Sequence, residues 1–169
     1  MQLLTNDRWR GYLAHSIDAA AASEEFLLIA FVFMPEHVHL LVYPSRPETD
    51  AEGVSRFLAH VKRSCSVQVK DDLVTARSRL LDRLTIRERP GRRVFRFWQE
   101  GPGFDRNLNT PAAVLASIDY IHRNPVTRGL VKQAADWRWS SARWFLSDGQ
   151  HVDPELPKLH RLPSALGNQ

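Results

Sequence analysis

The sequence predicts an α+β domain built on an antiparallel β-hairpin, and three observations carry that expectation. Phe26 to Met34 is almost wholly apolar and β-prone, as a strand buried on both faces requires. The run breaks at Pro35-Glu36, and a second apolar run follows to Tyr43. On either side, apolar residues recur at helical rather than alternating spacing.

Taken in order, Asn6-Asp7 is a helix N-cap, and Trp9, Tyr12, Leu13, Ile17 and Ala20 form a stripe that predicts a helix from Asp7 to about Ala22. Phe26 to Met34 is the first strand, and the second opens with His37 and His39. Successive strand side chains point to opposite faces, so the two imidazoles share one face while Val38, Leu40 and Val42 share the other. Such a pair can bind a divalent metal if a third ligand arrives from elsewhere; the alternative is two half-buried histidines hydrogen-bonded to backbone. Pro44 to Thr49 is a loop. Val54, Phe57, Leu58, Val61 and Cys65 predict a helix from Asp50 to about Val69, with Lys62 and Arg63 on its flank.

Asp71 to Pro90 reads as a short helix followed by a loop, ending at the breaker Arg89-Pro90-Gly91. Arg93 to Gln99 reads as a strand closed by Gly101-Pro102-Gly103. Thr110-Pro111 starts a helix to about Asn124, with Val114, Ile118 and Ile121 as its core stripe. Tyr120 lies off that stripe, with Asn124 one turn further on the same side and small residues (Ala113, Ala116, Ser117) around them. A phenol so placed is either a boundary residue with a bonded hydroxyl or a reactive group. Trp137-Arg138-Trp139-Ser140-Ser141 opens a last helix, serine-capped, from which Trp144 and Phe145 pack back. The domain therefore spans residues 1–147, and 148–169 is expected to be a loosely ordered tail with His151 and His160 at the surface.

A chain of 169 residues, 43% hydrophobic and 25% charged, is one globular domain's worth. No apolar run approaches the roughly 20 residues of a membrane span. The first residues lack the charged-then-apolar order of a secretory signal, so a cytoplasmic location is expected. The single cysteine, Cys65, excludes an internal disulfide and a multi-cysteine zinc site, and is expected to be a small core residue.

The charge is concentrated. From Arg77 to Arg96, eight arginines stand against Asp82 and Glu88, a local net of +6 in a chain whose total is +4. Arginines without lysine suit a polyanion held through planar, bidentate donors, as phosphate contacts require; the alternative is a solvated loop. Of these residues Arg92, Arg93 and Arg96, with Trp98 and Gln99 beside them and Lys62 and Arg63 on the second helix, are the candidates for contact with a phosphate polyanion. An arginine next to an exposed tryptophan can hold a phosphate while the indole stacks on an unpaired base; the alternative is a core Trp98 with Arg96 snorkelling past it.

Met34-Pro-Glu-His-Val-His-Leu-Leu-Val resembles the Met-Pro-Asn-His-Val-His-Leu-Leu signature of the single-tyrosine HUH transposases, in particular the REP-associated tyrosine transposases. Tyr120-Ile-His-Arg-Asn-Pro-Val-Thr-Arg-Gly-Leu-Val resembles that group's Tyr-Ile-x-x-Asn-Pro-Val-x-Ala-Gly-Leu-Val helix. Phe97-Trp-Gln to Phe104-Asp-Arg and Trp139-Ser-Ser match two further segments, so the likeness covers Phe26 to about Leu146 with its motifs in order.

The resemblance implies a ferredoxin-like α/β sandwich, an antiparallel sheet with helices on one face and the tyrosine helix nearby. It implies His37, His39 and Asn124 as ligands of a divalent metal, Mg²⁺ or Mn²⁺, and Tyr120 as the nucleophile of a single-stranded DNA endonuclease and strand-transferase. The intermediate would be a 5′-phosphotyrosine formed at hairpin-forming repeats. Single-stranded or hairpin DNA is the implied partner, with a homodimer and the use of Tyr120 in its own or its partner's site left open. The family's first strand, which precedes the first helix, has no counterpart here, so an unpaired sheet edge is expected beside the metal strand. Glu36 replaces the usual Asn. A catalytically inactive DNA-binding remnant is therefore the alternative function, and a His-x-His hydrolase drawing a further ligand from His60 or His122 is a third.

Overall fold

The structure, a computed structural model, describes residues 1–46, 51–99, 101 and 106–163. Part of the Pro44–Thr49 loop, most of the glycine-rich segment after Gln99 and the last six residues lie outside the described residues.

Helix α1 (Asp7–Ser23) starts where Asn6 accepts the Arg8 N–H, at 3.0 Å, through its side-chain oxygen. Strands β1 (Phe26–Phe33) and β2 (Val38–Pro44) pair antiparallel, and their turn is closed by the Met34 N–H donating to the His37 carbonyl at 2.9 Å. Helix α2 (Ala51–Thr75) runs about six residues past its expected end, because Val69 and Leu73 continue its buried stripe. Helix α3 (Arg79–Leu84) follows. The expected loop before Pro90 is instead strand β3 (Thr85–Arg89), which pairs with β4 (Arg92–Phe95) around Gly91, whose φ of +77° favours glycine. Its two faces carry little apolar residue beyond Ile86, so no alternation marked it.

Helix α4 (Pro111–Thr127) opens with the expected Thr110 cap. It continues through Pro125 and ends at Gly129, φ +68°. A proline this close to the C-terminus removes one ladder bond without ending the helix. A single 3₁₀ turn (Ala134–Asp136) and α5 (Ala142–Leu146) complete the chain's helices among the described residues.

The β1–β2 ribbon is the middle layer. Phe31 and Phe33, with Val38, Leu40 and Val42, pack on α1 and α2 through Leu13, Ile17, Phe57, Val61 and Cys65. Ile29, Val32 and Met34, with Leu41 and Tyr43, pack on Val114, Ile118 and Ile121 of α4. Two helices thus cover one face and the tyrosine helix covers the other. Cys65 is the core residue expected; burial pushes its thiol up to about 12.

The outer edge of β1 is not left open. Residues Met1 to Asn6 form no strand, but Trp139 to Ser141 run antiparallel to β1: the Phe33 N–H donates to the Trp139 carbonyl (2.8 Å) and the Ser141 N–H to the Phe31 carbonyl (3.0 Å). Ser141 Oγ accepts the Phe31 N–H at 3.0 Å, so Ser141 serves the sheet edge and not, as expected, α5 as a side-chain cap. Further along, the His160 N–H donates to the Leu28 carbonyl at 2.9 Å.

The tail expected to be loose is therefore anchored in its described part. Leu156 and Leu159 join the α1/α2 core, Leu162 joins the α4 core, the Lys158 N–H donates to Asp18, and Arg138 pairs with Asp153 and Glu155. Its described residues form no helix or strand; they are held by separate contacts, which need no periodicity.

Replacing Ser141 with Ala strands a buried Phe31 N–H. Urea unfolding of that variant should show a loss of about 1–3 kcal/mol with an unchanged m-value.

Candidate active site

The turn after β1 and the start of β2 deliver the two histidines. Because Val38, Leu40 and Val42 are drawn into the α1/α2 core, His37 and His39 face α4, as the alternation requires. Their rings meet edge to face with centroids 4.8 Å apart. The His39 ring in turn meets the Tyr120 ring at 5.3 Å, again edge to face. On α4, burial of Val114, Ile118 and Ile121 turns Tyr120 outward, 58% exposed, while Asn124 one turn later is buried at 9%.

These four side chains line one open cleft of about 610 Å³ together with Asp119, Arg123, Thr127 and Arg128. The expected constellation is brought together. The four additional residues were missed by the sequence reading, although the helical series Tyr120, Asn124, Arg128 at four-residue steps carried the signal for Arg128. Arg128 donates to Glu36 at 2.5 Å, and Arg123 lies 3.7 Å from Asp119. Glu36 Oε1 also stands 3.6 Å from His37 Nδ1.

The residues fit a divalent cation in two respects. His39 Nε2 is buried and has no hydrogen-bond partner, which leaves a lone pair or a proton unsatisfied. Burial, helped by His37, holds the His39 pKa below its ordinary value, so the ring is the neutral ligand that a metal requires. Among the described residues no group of three His, Cys, Asp or Glu side chains could hold a metal; Asn124, which the resemblance implies as the third donor, lines the same cleft. Neither alternative ligand lines this cleft. His60 faces Glu24 at 3.6 Å, and His122 Nε2 is bonded to Ser141 Oγ at 2.8 Å.

The candidate DNA residues lie elsewhere and divide. Trp98 is no exposed stacking platform: it packs against the α1/α2 core and its Nε1 donates to the Lys62 carbonyl at 3.0 Å. The Lys62 ammonium donates to the Gly101 carbonyl at 3.0 Å. Arg96 and Arg92 flank Glu88 at 3.6 and 2.9 Å. Arg63, Arg93 and Gln99 are exposed.

The fold and the cleft together define an α+β domain that presents one turn imidazole and one strand imidazole to a helix-borne phenol and carboxamide. No family model matches the sequence, and no curated protein matches it. A solved structure does: a REP-associated tyrosine transposase bound to a REP hairpin, 23% identical, superposes with a TM-score of 0.53 over 99% of this chain and 83% of that one. The likeness establishes the fold.

His122 couples this helix to the sheet edge and supplies a pH test. Burial pushes its pKa from the ordinary 6.5 down to about 4. Between those values the unfolded chain binds the extra proton and the folded chain does not, so stability falls as the pH drops from about 6.5 to about 4 and then levels. A His122→Asn variant should lose that component of the slope in denaturation series at several pH values; an identical slope would assign it to other groups.

Proposed function

We propose that the protein is a metal-dependent single-stranded DNA endonuclease and strand-transferase, a transposase, that uses Tyr120 as its nucleophile. The single observation that carries this reading is the shared cleft of His37, His39, Tyr120 and Asn124. The fold likeness to a transposase bound to a REP hairpin supports it.

His37, His39 and Asn124 would hold Mg²⁺ or Mn²⁺, which when bound supplies charge neutralisation at the phosphate. The protein's own residues do the rest. Tyr120 is exposed to the cleft, so its phenol oxygen can reach a phosphodiester and release its proton to solvent as it attacks. Its oxygen bonds to phosphorus, the P–O3′ bond breaks, and the 3′ oxygen leaves and takes up a proton; the bond energy is kept in the phosphotyrosine for rejoining. The edge-on His39 ring limits how far the phenol can swing.

The β3–β4 hairpin supports DNA contact on separate grounds. Arg87 lies opposite Arg93, and Arg89 opposite Arg92, all four exposed. Like charges directly across a ladder are destabilising, and Glu88 is a single compensating carboxylate, so a bound phosphate backbone is the natural neutraliser. This feature alone also suits a DNA-binding module without cleavage, and that is the second reading.

Cleavage separates the two. Incubation with labelled single-stranded hairpin DNA and Mn²⁺ should leave a covalent adduct that survives denaturation, and Tyr120→Phe should abolish it while DNA binding persists. Binding without any adduct in the wild type would establish the second reading instead. For the hairpin, Arg93→Ala should flatten the plot of log affinity against log salt by about one unit. An unchanged slope would remove the hairpin from the interface.

A further inference from the structure

Each of the two site motifs departs from the transposase signature it resembles at one position, Glu36 for Asn and Arg128 for Ala, and these two residues touch. Arg128 donates to Glu36 Oε1 at 2.5 Å across 92 positions of sequence. Both partners stand on fixed backbone. The turn bearing Glu36 is closed by the Met34 N–H bond to the His37 carbonyl and tied down by the Leu4 N–H bond to the Pro35 carbonyl, each 2.9 Å. Arg128 caps α4, its N–H donating to the Asn124 carbonyl at 3.0 Å, and the Gly129 and Leu130 N–H groups close the helix end onto Val126 and Pro125.

The chain path gives this pair its meaning. Glu36 is covalently next to His37, and Arg128 lies one helical turn beyond Asn124, so the ion pair joins the two elements at the metal-facing end of the cleft. We propose that Glu36 and Arg128 are positioning residues that lock the turn carrying His37 to the helix end carrying Asn124, and so set the separation of two metal ligands. The inference rests on the metal reading above and deepens it. Ligands on separate elements lose affinity when their spacing is left to fluctuate, and partners outside the ligand set commonly change metal affinity by ten- to a hundredfold. The lock also neutralises Arg128, which would otherwise repel a cation in the same cleft.

Those two contributions have opposite signs in one variant, which makes the proposal testable. Glu36→Gln removes the lock and bares a positive charge. Arg128→Gln removes the lock but frees a carboxylate beside the site, which by charge alone would tighten a cation. Mn²⁺ titration of the DNA-free protein, followed by the electron paramagnetic resonance of free Mn²⁺, should show both single variants weakened by about tenfold and the double variant no weaker than the weaker single. Melting temperatures should stay close to wild type, because an exposed ion pair adds little to global stability. Tighter binding in Arg128→Gln, additive losses, or unchanged binding in either single variant would each overturn the positioning role. Wild-type protein that takes up no Mn²⁺ would instead overturn the metal reading itself, an outcome visible before any variant is compared.

Discussion

The structure depends on how the outer edge of β1 is satisfied. A strand buried on both faces cannot leave a row of N–H and C=O groups unpaired, and no other described strand pairs with it on that side. The stretch Trp139 to Ser141 supplies the partners, and it is fastened by charge on aromatic surface. The buried Arg10 guanidinium lies 5.3 Å from the rings of both Trp137 and Trp139, and Arg138 lies 5.2 Å from Trp139. Arg10 and Trp139 are both buried, so that contact counts for more than one at a surface. Arg10 also donates to Asp7, which ties the start of α1 into the same assembly.

From that edge the site is built by consequence. Ser141 bonds both Phe31 and His122, so the segment that closes β1 also holds α4 against the sheet. With α4 fixed by its Val114, Ile118 and Ile121 stripe, the helical rotation leaves Tyr120 facing the open cleft, and with β2 fixed by Val38, Leu40 and Val42 the alternation turns His39 toward it. The cleft-lining groups occupy what packing leaves over on two elements. Tyr120 is exposed and Asn124 buried although both stand on one side of the helix and line one cleft.

Periodicity made much of this legible. The core stripes of α1, α2 and α4, the buried character of β1 and the common face of His37 and His39 are local patterns, each repeated several times in the sequence. What stayed hidden was single and long-range. The bonding of Ser141 to Phe31 spans 110 positions and leaves no periodic trace. Trp98 was open to two readings, a stacking platform or a core residue, since an indole suits both; its packing on the core and its bond to the Lys62 carbonyl decide for the core. The β3–β4 hairpin was obscured because arginines occupy positions where cross-strand apolar pairs would have marked a ladder.

That hairpin makes the final point about how the surfaces are arranged. Its base is rooted among α1 and α2: Arg96 donates its N–H to the Leu84 carbonyl, and Phe97 meets Trp9 edge-on at 5.8 Å. The cleft lies across the ribbon, on the α4 side. Charge mounted on a separate support acts on an anionic partner without altering the field inside the cleft, because exposed charges further apart than about 10 Å are largely screened. Within the cleft the arginines are indeed matched by carboxylates, Arg128 by Glu36 and Arg123 by Asp119. On the hairpin, four exposed arginines face one another across the ladder around a single glutamate. The two surfaces therefore differ in kind: charge is compensated within the cleft and left largely uncompensated on the hairpin.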